Sequence, residues 1–228
     1  MCWFWGGLGW AVDLASFGMA FGPRFQHYLP QLLTRLEDVW RANGAPIADH
    51  LAPGATPEHL NAIEARIGYP IPYELRVWWE WHDGVQRLQP GTRGGRETEI
   101  GPGAWEFLSV EEAVEEWESR TAASAVGNFL PGFWNGQWYR HWLPVVRFHA
   151  YTLFVDCLSE TRENTVPVRK FEHTPEDPFT PVAGAFTVAV LIWVEQLEQG
   201  VYQWSDEHQQ WESDYASIPR SVTVFGPG

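Results

Sequence analysis

The apolar positions between Leu51 and Gly84 run first at helical spacing and then in an interrupted pattern. Leu60, Ile63 and Ile67 fall on one helical stripe, and Thr56-Pro57 stands ahead of them. A threonine caps orphan N–H groups, and a proline at the first helical position already has the φ the helix needs. Gly68 then supplies a left-handed stop. Pro70 and Pro72 impose an extended link, because each restricts both itself and the residue before it. Pro72 also opens a second helix, Tyr73 to about Trp81, with Leu75, Trp78 and Trp79 or Trp81 facing inward. His82-Asp83-Gly84 ends it as a turn.

The same pattern reading extends outward. Leu29, Leu32, Leu33, Leu36, Val39 and Trp40 give an amphipathic helix from Leu29 to Asn43, with Pro30 tolerable only in its first turn and Gly44 as its stop. Ser109-Val110-Glu111-Glu112 is a capping box: Ser109 caps the helix it opens, and Glu112 reaches back. Ala113, Val114 and Trp117 turn inward from that helix, and its glutamates cover the outer face. Trp142–Phe148, Thr152–Leu158 and Val166–Glu172 are short, β-branched or aromatic, and separated by turn-length links, which predicts an antiparallel meander. Val182 to Gln199 reads as a closing helix, with Phe186, Val190, Trp193, Val194 and Leu197 on one stripe. Ser221–Phe225 offers a further edge strand. Helices before, beside and after a strand cluster predict one α+β domain, its antiparallel or mixed sheet holding about four to six strands.

The segment from Leu51 to Gly84 resembles the signature of the SUKH superfamily, which contains the fungal Smi/Knr cell-wall regulators. The matching residues are Pro53-Gly54, Ile63-Glu64, Ile67-Gly68, Ile71-Pro72 and His82-Asp83-Gly84. Trp105 to Glu118 resembles the family's strand and acidic helix, and His141-Trp142-Leu143-Pro144-Val145 its next strand. Phe154-Val155-Asp156 is similar to its aspartate-bearing strand, and Val182 to Gly200 to its last helix. There are departures. Arg147 to Tyr151 stands where the family often has a Gly/Asp-rich turn, and Gly184-Ala185-Phe186 replaces a small-Ser-Phe start to the last helix. The resemblance implies a SUKH-like domain over residues 23–215, with an apolar extension at 1–22 and a tail at 216–228. It also implies a non-catalytic protein-binding role. Many bacterial members are thought to be immunity proteins against toxins, and the fungal relatives are regulatory scaffolds or adaptors.

Charge narrows the partner. Twenty-nine acids stand against 15 bases, a formal net charge of −14. Such a chain is repelled by nucleic acid and by anionic membranes, and attracted to basic proteins. Glu106 to Glu118 holds six acids and no base, and Glu195 to Asp214 does the same. The expected partner contacts are therefore Glu111, Glu112, Glu115, Glu116 and Glu118, with Asp206 and Glu207. A basic, nuclease-type toxin would be occluded by shape and charge. The bland alternative is that these acids merely solvate helix faces. The 15 tryptophans are expected mainly in the core, with a few left to anchor a partner.

The remaining chemistry is sparse. The eight histidines lack HExxH or clustered metal spacing, and no Walker A, G-x-G-x-x-G or G-x-S-x-G motif occurs. The expectation is no enzyme, no metal and no cofactor. His82-Asp83 reads as a helix-ending turn rather than a base and its orienter. Cys2 and Cys157 make no disulfide framework, and a cytoplasmic location is expected. Cys157, in an apolar strand, is expected to be buried. Residues 1–22 are apolar around Asp13, with neither a convincing signal peptide nor a clean membrane span. Three readings stay open for them: an over-extended start with Met19 the true one, a weak peripheral membrane contact, or an ordered packing element. Gln86 to Gly103, rich in glycine, is expected to be a loop.

Overall fold

The computed structural model describes residues 28–86, 105–126, 138–148, 151–171, 179, 181–208 and 210–213. The N-terminal extension, the C-terminal tail with its expected strand, and all of the 86–103 loop except Gln86 lie outside the described residues.

Six helices and seven strands are formed by the described residues: α1 (Tyr28–Ala42), α2 (Ile47–His50), α3 (Pro57–Ile67), α4 (Tyr73–Trp81), β1 (Glu106–Phe107), α5 (Val110–Val126), β2 (Trp142–Phe148), β3 (Tyr151–Asp156), β4 (Val168–Phe171), β5 (Pro181–Ala183), α6 (Phe186–Glu198), β6 (Tyr202–Ser205) and β7 (Gln210–Ser213). This is an α+β domain. β1 to β5 pair in sequential order, every pair antiparallel, and β6–β7 form a separate hairpin. The register slips between Pro144 and Val146, where proline has no N–H to give the ladder.

The local signals act as their chemistry requires. The Thr56 hydroxyl accepts the His59 N–H at 3.2 Å, Pro57 opens α3, and Gly68 closes it in the left-handed conformation. α1 buries Leu29, Leu32, Leu33, Leu36 and Trp40. The last helix starts later than its apolar run suggested. Pro181–Ala183 pair with β4 as a strand, and α6 begins only at Phe186. β4 likewise begins at Val168 rather than Val166, and β3 ends at Asp156 rather than Leu158.

The sheet carries helices on both faces. On one, Phe107, Val146 and Leu153 lie in register, and Trp78 of α4 packs on Phe107 with ring centroids 4.3 Å apart. Trp78 also meets Phe186 and Trp193 of α6, which in turn lies along α1. On the other face α5 lies against β2, and Arg120 reaches the Thr152 hydroxyl of β3 at 2.6 Å. Among the described tryptophans most are buried, six of them almost completely: Trp40, Trp78, Trp79, Trp105, Trp142 and Trp193.

Candidate functional site

The polar residues of the signature segment hold the fold together. Residues 50–55 run beside the end of α4: Ala55 N–H donates to the Trp79 carbonyl, Asp83 N–H to that of Pro53, and Ala52 N–H to that of Gly84. A Cβ on Gly54 would sit 1.9 Å from the Glu80 carbonyl oxygen, so only glycine permits this approach. His82 and Asp83 turn to different partners. His82 Nδ1 meets the Ala52 carbonyl at 2.6 Å, and Asp83 Oδ1 accepts the Val110 N–H at 2.7 Å. That bond caps the start of α5 from outside. Gly84 has φ 76° and passes so close to Ser109 that a Cβ would lie 2.6 Å from its backbone nitrogen. Glu64 accepts the Ile71 N–H at 2.7 Å and pairs with Arg76 at 2.9 Å, which fixes the elbow between α3 and α4.

Glu74 is the polar centre of the interior, 2% exposed. Its carboxylate accepts the N–H groups of Val166 (2.6 Å), Phe186 (3.1 Å) and Thr187 (2.8 Å), and the Thr187 hydroxyl. α6 has Ala185 at its N-cap with no side-chain cap bond. Glu74 therefore supplies across space what a capping serine would supply locally. Burial pushes its pKa above the usual carboxylate range, against the pull of these four donors. The sequence reading missed Glu74, because nothing in its spacing shows that α6 lacks a cap.

The acids of α5 have well-defined surroundings. Ser109 and Glu112 form the expected capping box: Glu112 N–H donates to the Ser109 hydroxyl at 3.2 Å, and Ser109 N–H to the Glu112 carboxylate at 2.9 Å. Glu111 and Glu118 both bond Arg66 of α3 at 2.9 Å, and Glu111 also meets His59 at 3.0 Å. The His59 hydrogen bond, joined by the Arg66 charge, holds the Glu111 carboxyl below its usual range. Glu116, 15% exposed, bonds Arg120 at 2.6 Å and Arg147 at 3.2 Å; Arg147 also holds Glu106. Glu115 is exposed, with no ion pair among the described residues. Of these ion pairs only Glu116–Arg120 was open to a sequence reading, through its i,i+4 spacing.

Asp206 and Glu207 are exposed in the β6–β7 turn, and Trp204 donates its indole N–H to Asp206 at 3.1 Å. The hairpin packs against α6, whereas α5 packs against α3 and β2, so the two acidic groups occupy different parts of the surface. A groove of about 490 Å³ lies between the ends of α1 and α6 and the hairpin, lined in part by Val39, Leu197 and Trp204.

A third surface gathers at the ends of β2 and β3. His141 Nδ1 and Asp156 Oδ1 are 2.7 Å apart, and Asp156 also accepts the Leu158 N–H at 2.9 Å. The His141 ring lies against Tyr69 and Tyr139, with centroids 6.2 and 5.7 Å away. Cys157, next in the chain, is buried as expected, its thiol pushed up to about 12 by burial and by the charges of Asp156, Glu160 and Glu64. Such burial disfavours the thiolate. Among the described residues no cluster of three or more His, Cys, Asp or Glu could hold a metal, and no helix is long and apolar enough to cross a membrane.

With these joints in view, the family comparison is direct. Residues 54–188, more than half of the chain, match the SMI1 / KNR4 family (SUKH-1). The chain belongs to that family. The match begins at Gly54, whose approach to α4 admits no side chain, and ends just past Thr187, one of the Glu74 partners. No curated protein matches the chain.

Proposed function

We propose that this chain is a non-catalytic protein-binding domain that neutralises a cognate toxin, most simply a basic nuclease whose active site it covers. Family membership supports the binding role, since SUKH domains are generally non-catalytic. The observation that carries the choice of a basic partner is charge. The chain has a net charge of −14, and Arg35, Arg41, Arg66, Arg76, Arg120 and Arg147 are already engaged with its own glutamates. The acidic excess is therefore not answered by these arginines, and it would steer a cationic protein toward the chain, raising the on-rate. In this reading Glu115, Asp206 and Glu207 contribute chiefly to steering. Glu111, Glu112, Glu116 and Glu118 would have to leave internal partners to contact the toxin, which reduces what each could gain.

The test is capture of partners by the tagged full chain from its own organism, with identification by mass. One stoichiometric basic partner carrying a nuclease-like domain, whose activity titrates away one-to-one, supports the proposal. Several substoichiometric partners, or kinases and cell-wall proteins, would overturn it in favour of a regulatory adaptor.

A further inference from the structure

The large hydrophobic side chains left exposed among the described residues are Tyr73 (37%), Leu158 (64%) and Phe179 (50%). They come from distant parts of the chain, yet they connect through neighbours to one face. Tyr73 begins α4, and its N–H donates to Glu160 at 2.6 Å, beside the turn that carries Leu158. Leu158 is tied to Asp156, Asp156 to His141, and His141 to the rings of Tyr69 and Tyr139. Phe179 closes the chain of contacts, its ring 6.0 Å from that of Tyr139. Exposed large side chains scattered singly need no explanation, but aromatic and aliphatic groups gathered on one face are what interface anchors are made of.

Carboxylates stand beside the anchors of this face: Asp156 accepts the Leu158 N–H at 2.9 Å and Glu160 the Tyr73 N–H at 2.6 Å. Arg140 and Arg162 are exposed in the flanking turns, and Arg76 is bound to Glu64. The face thus sets the Asp156 and Glu160 carboxylates among exposed apolar side chains. A long cationic side chain fits it: its methylenes cover Leu158 and the tyrosines, and its charge approaches the carboxylates. The acids of α5 lack this combination, since no large hydrophobic side chain of that helix is exposed among the described residues.

We propose that the His141–Asp156 face is the docking surface for the basic partner, with Leu158 and Tyr73 as anchors and an arginine- or lysine-bearing apolar segment of that partner seated on it. This rests on the reading of the chain as a binder of a basic toxin, and it gives that reading its contact surface. The acidic excess elsewhere brings the partner in, and this face holds it.

The experiment selects a phage-displayed library of random peptides on the immobilised full chain, then measures the enriched peptides against variants. Enriched sequences should combine arginine or lysine with apolar residues. Their affinity should fall about ten-fold or more on Leu158→Arg, and several-fold on Leu158→Ser and Tyr73→Ala. Glu58→Lys, an exposed change at the far end of α3, should leave affinity within about two-fold at physiological salt. Unchanged thermal midpoints would show that the variants fold. Acidic or base-free consensus peptides, no enrichment, or affinity unaffected by Leu158→Arg would each overturn the assignment. The library does not depend on the natural partner, so the proposed function fails separately: a toxin still neutralised by the Leu158→Arg protein removes this face and leaves the immunity reading standing, whereas absence of any basic partner in the capture experiment removes that reading.

Discussion

Five glutamates on α5 and one glutamate on α4 show how little the number of acids says about their weight. Those of α5 lie on its outer side. Arginines from α3, α5 and β2 or a helix cap answer four of them, and water screens the pairs that Glu111 and Glu118 make with Arg66, whereas Glu116 and Arg120 are largely covered. Glu74 lies in the interior, where four donors from two other segments converge on one carboxylate. Removing Glu111 or Glu118 leaves Arg66 in solvent. Removing Glu74 strands buried N–H groups and uncaps α6 at a position 2% exposed. The two regions also divide the labour: the interior carboxylate holds the layers in place, and the surface acids set the field outside.

The most severe test is Glu74→Ala, expected to cost about 3–5 kcal/mol in chemical denaturation, because it leaves several buried donors unpaired. If that loss stays below the cost of a surface pair, the contrast collapses. Gly84→Ala comes next, at about 2 kcal/mol or more, since it forces a side chain into positive φ and against Ser109.

The pH dependence sharpens the same contrast. Burial raises the folded pKa of Glu74, so the folded state holds that proton more tightly than the unfolded chain. Its contribution is then fully present below the unfolded pKa and is lost as pH rises through the folded one. The stability gap between wild type and Glu74→Gln should therefore widen on acidification from about pH 7 toward pH 4. A gap that narrows would show that the four donors outweigh burial. Ser109→Ala, which opens the capping box, should cost about 1 kcal/mol in the same assay. Glu118→Gln should leave the denaturation midpoint within measurement error, and high salt should mask what change there is.

Much of the frame was legible in the chain because its signals are local. Thr56-Pro57, Gly68 and the Ser109–Glu112 box act within a turn or two of themselves, and each appears in the structure as its chemistry requires. The β2–β3–β4 meander was legible for the same reason, through β-branched runs and short links. Val182 and Ala183 were not, because so short a stretch ahead of the apolar run of α6 shows no alternating period. Pairing with β4 makes them a strand. The four-residue α2 is too short to show a period. The β6–β7 hairpin carries a faint signal, Tyr202 and Trp204 alternating with Trp211 opposite, inside a stretch dominated by acids.

The sequence by itself determined the family, the α+β class, the helix caps and the excess of negative charge. Each of these follows from residues near one another or from simple sums. The tertiary structure alone decided which acids were already answered, that Glu74 caps α6 from a distance, and that Tyr73, Leu158 and Phe179 converge toward one face. Those facts depend on segments tens of residues apart being brought within a few ångströms. Over such separations neither period nor propensity carries information, and only the packing of the sheet between its helices decides.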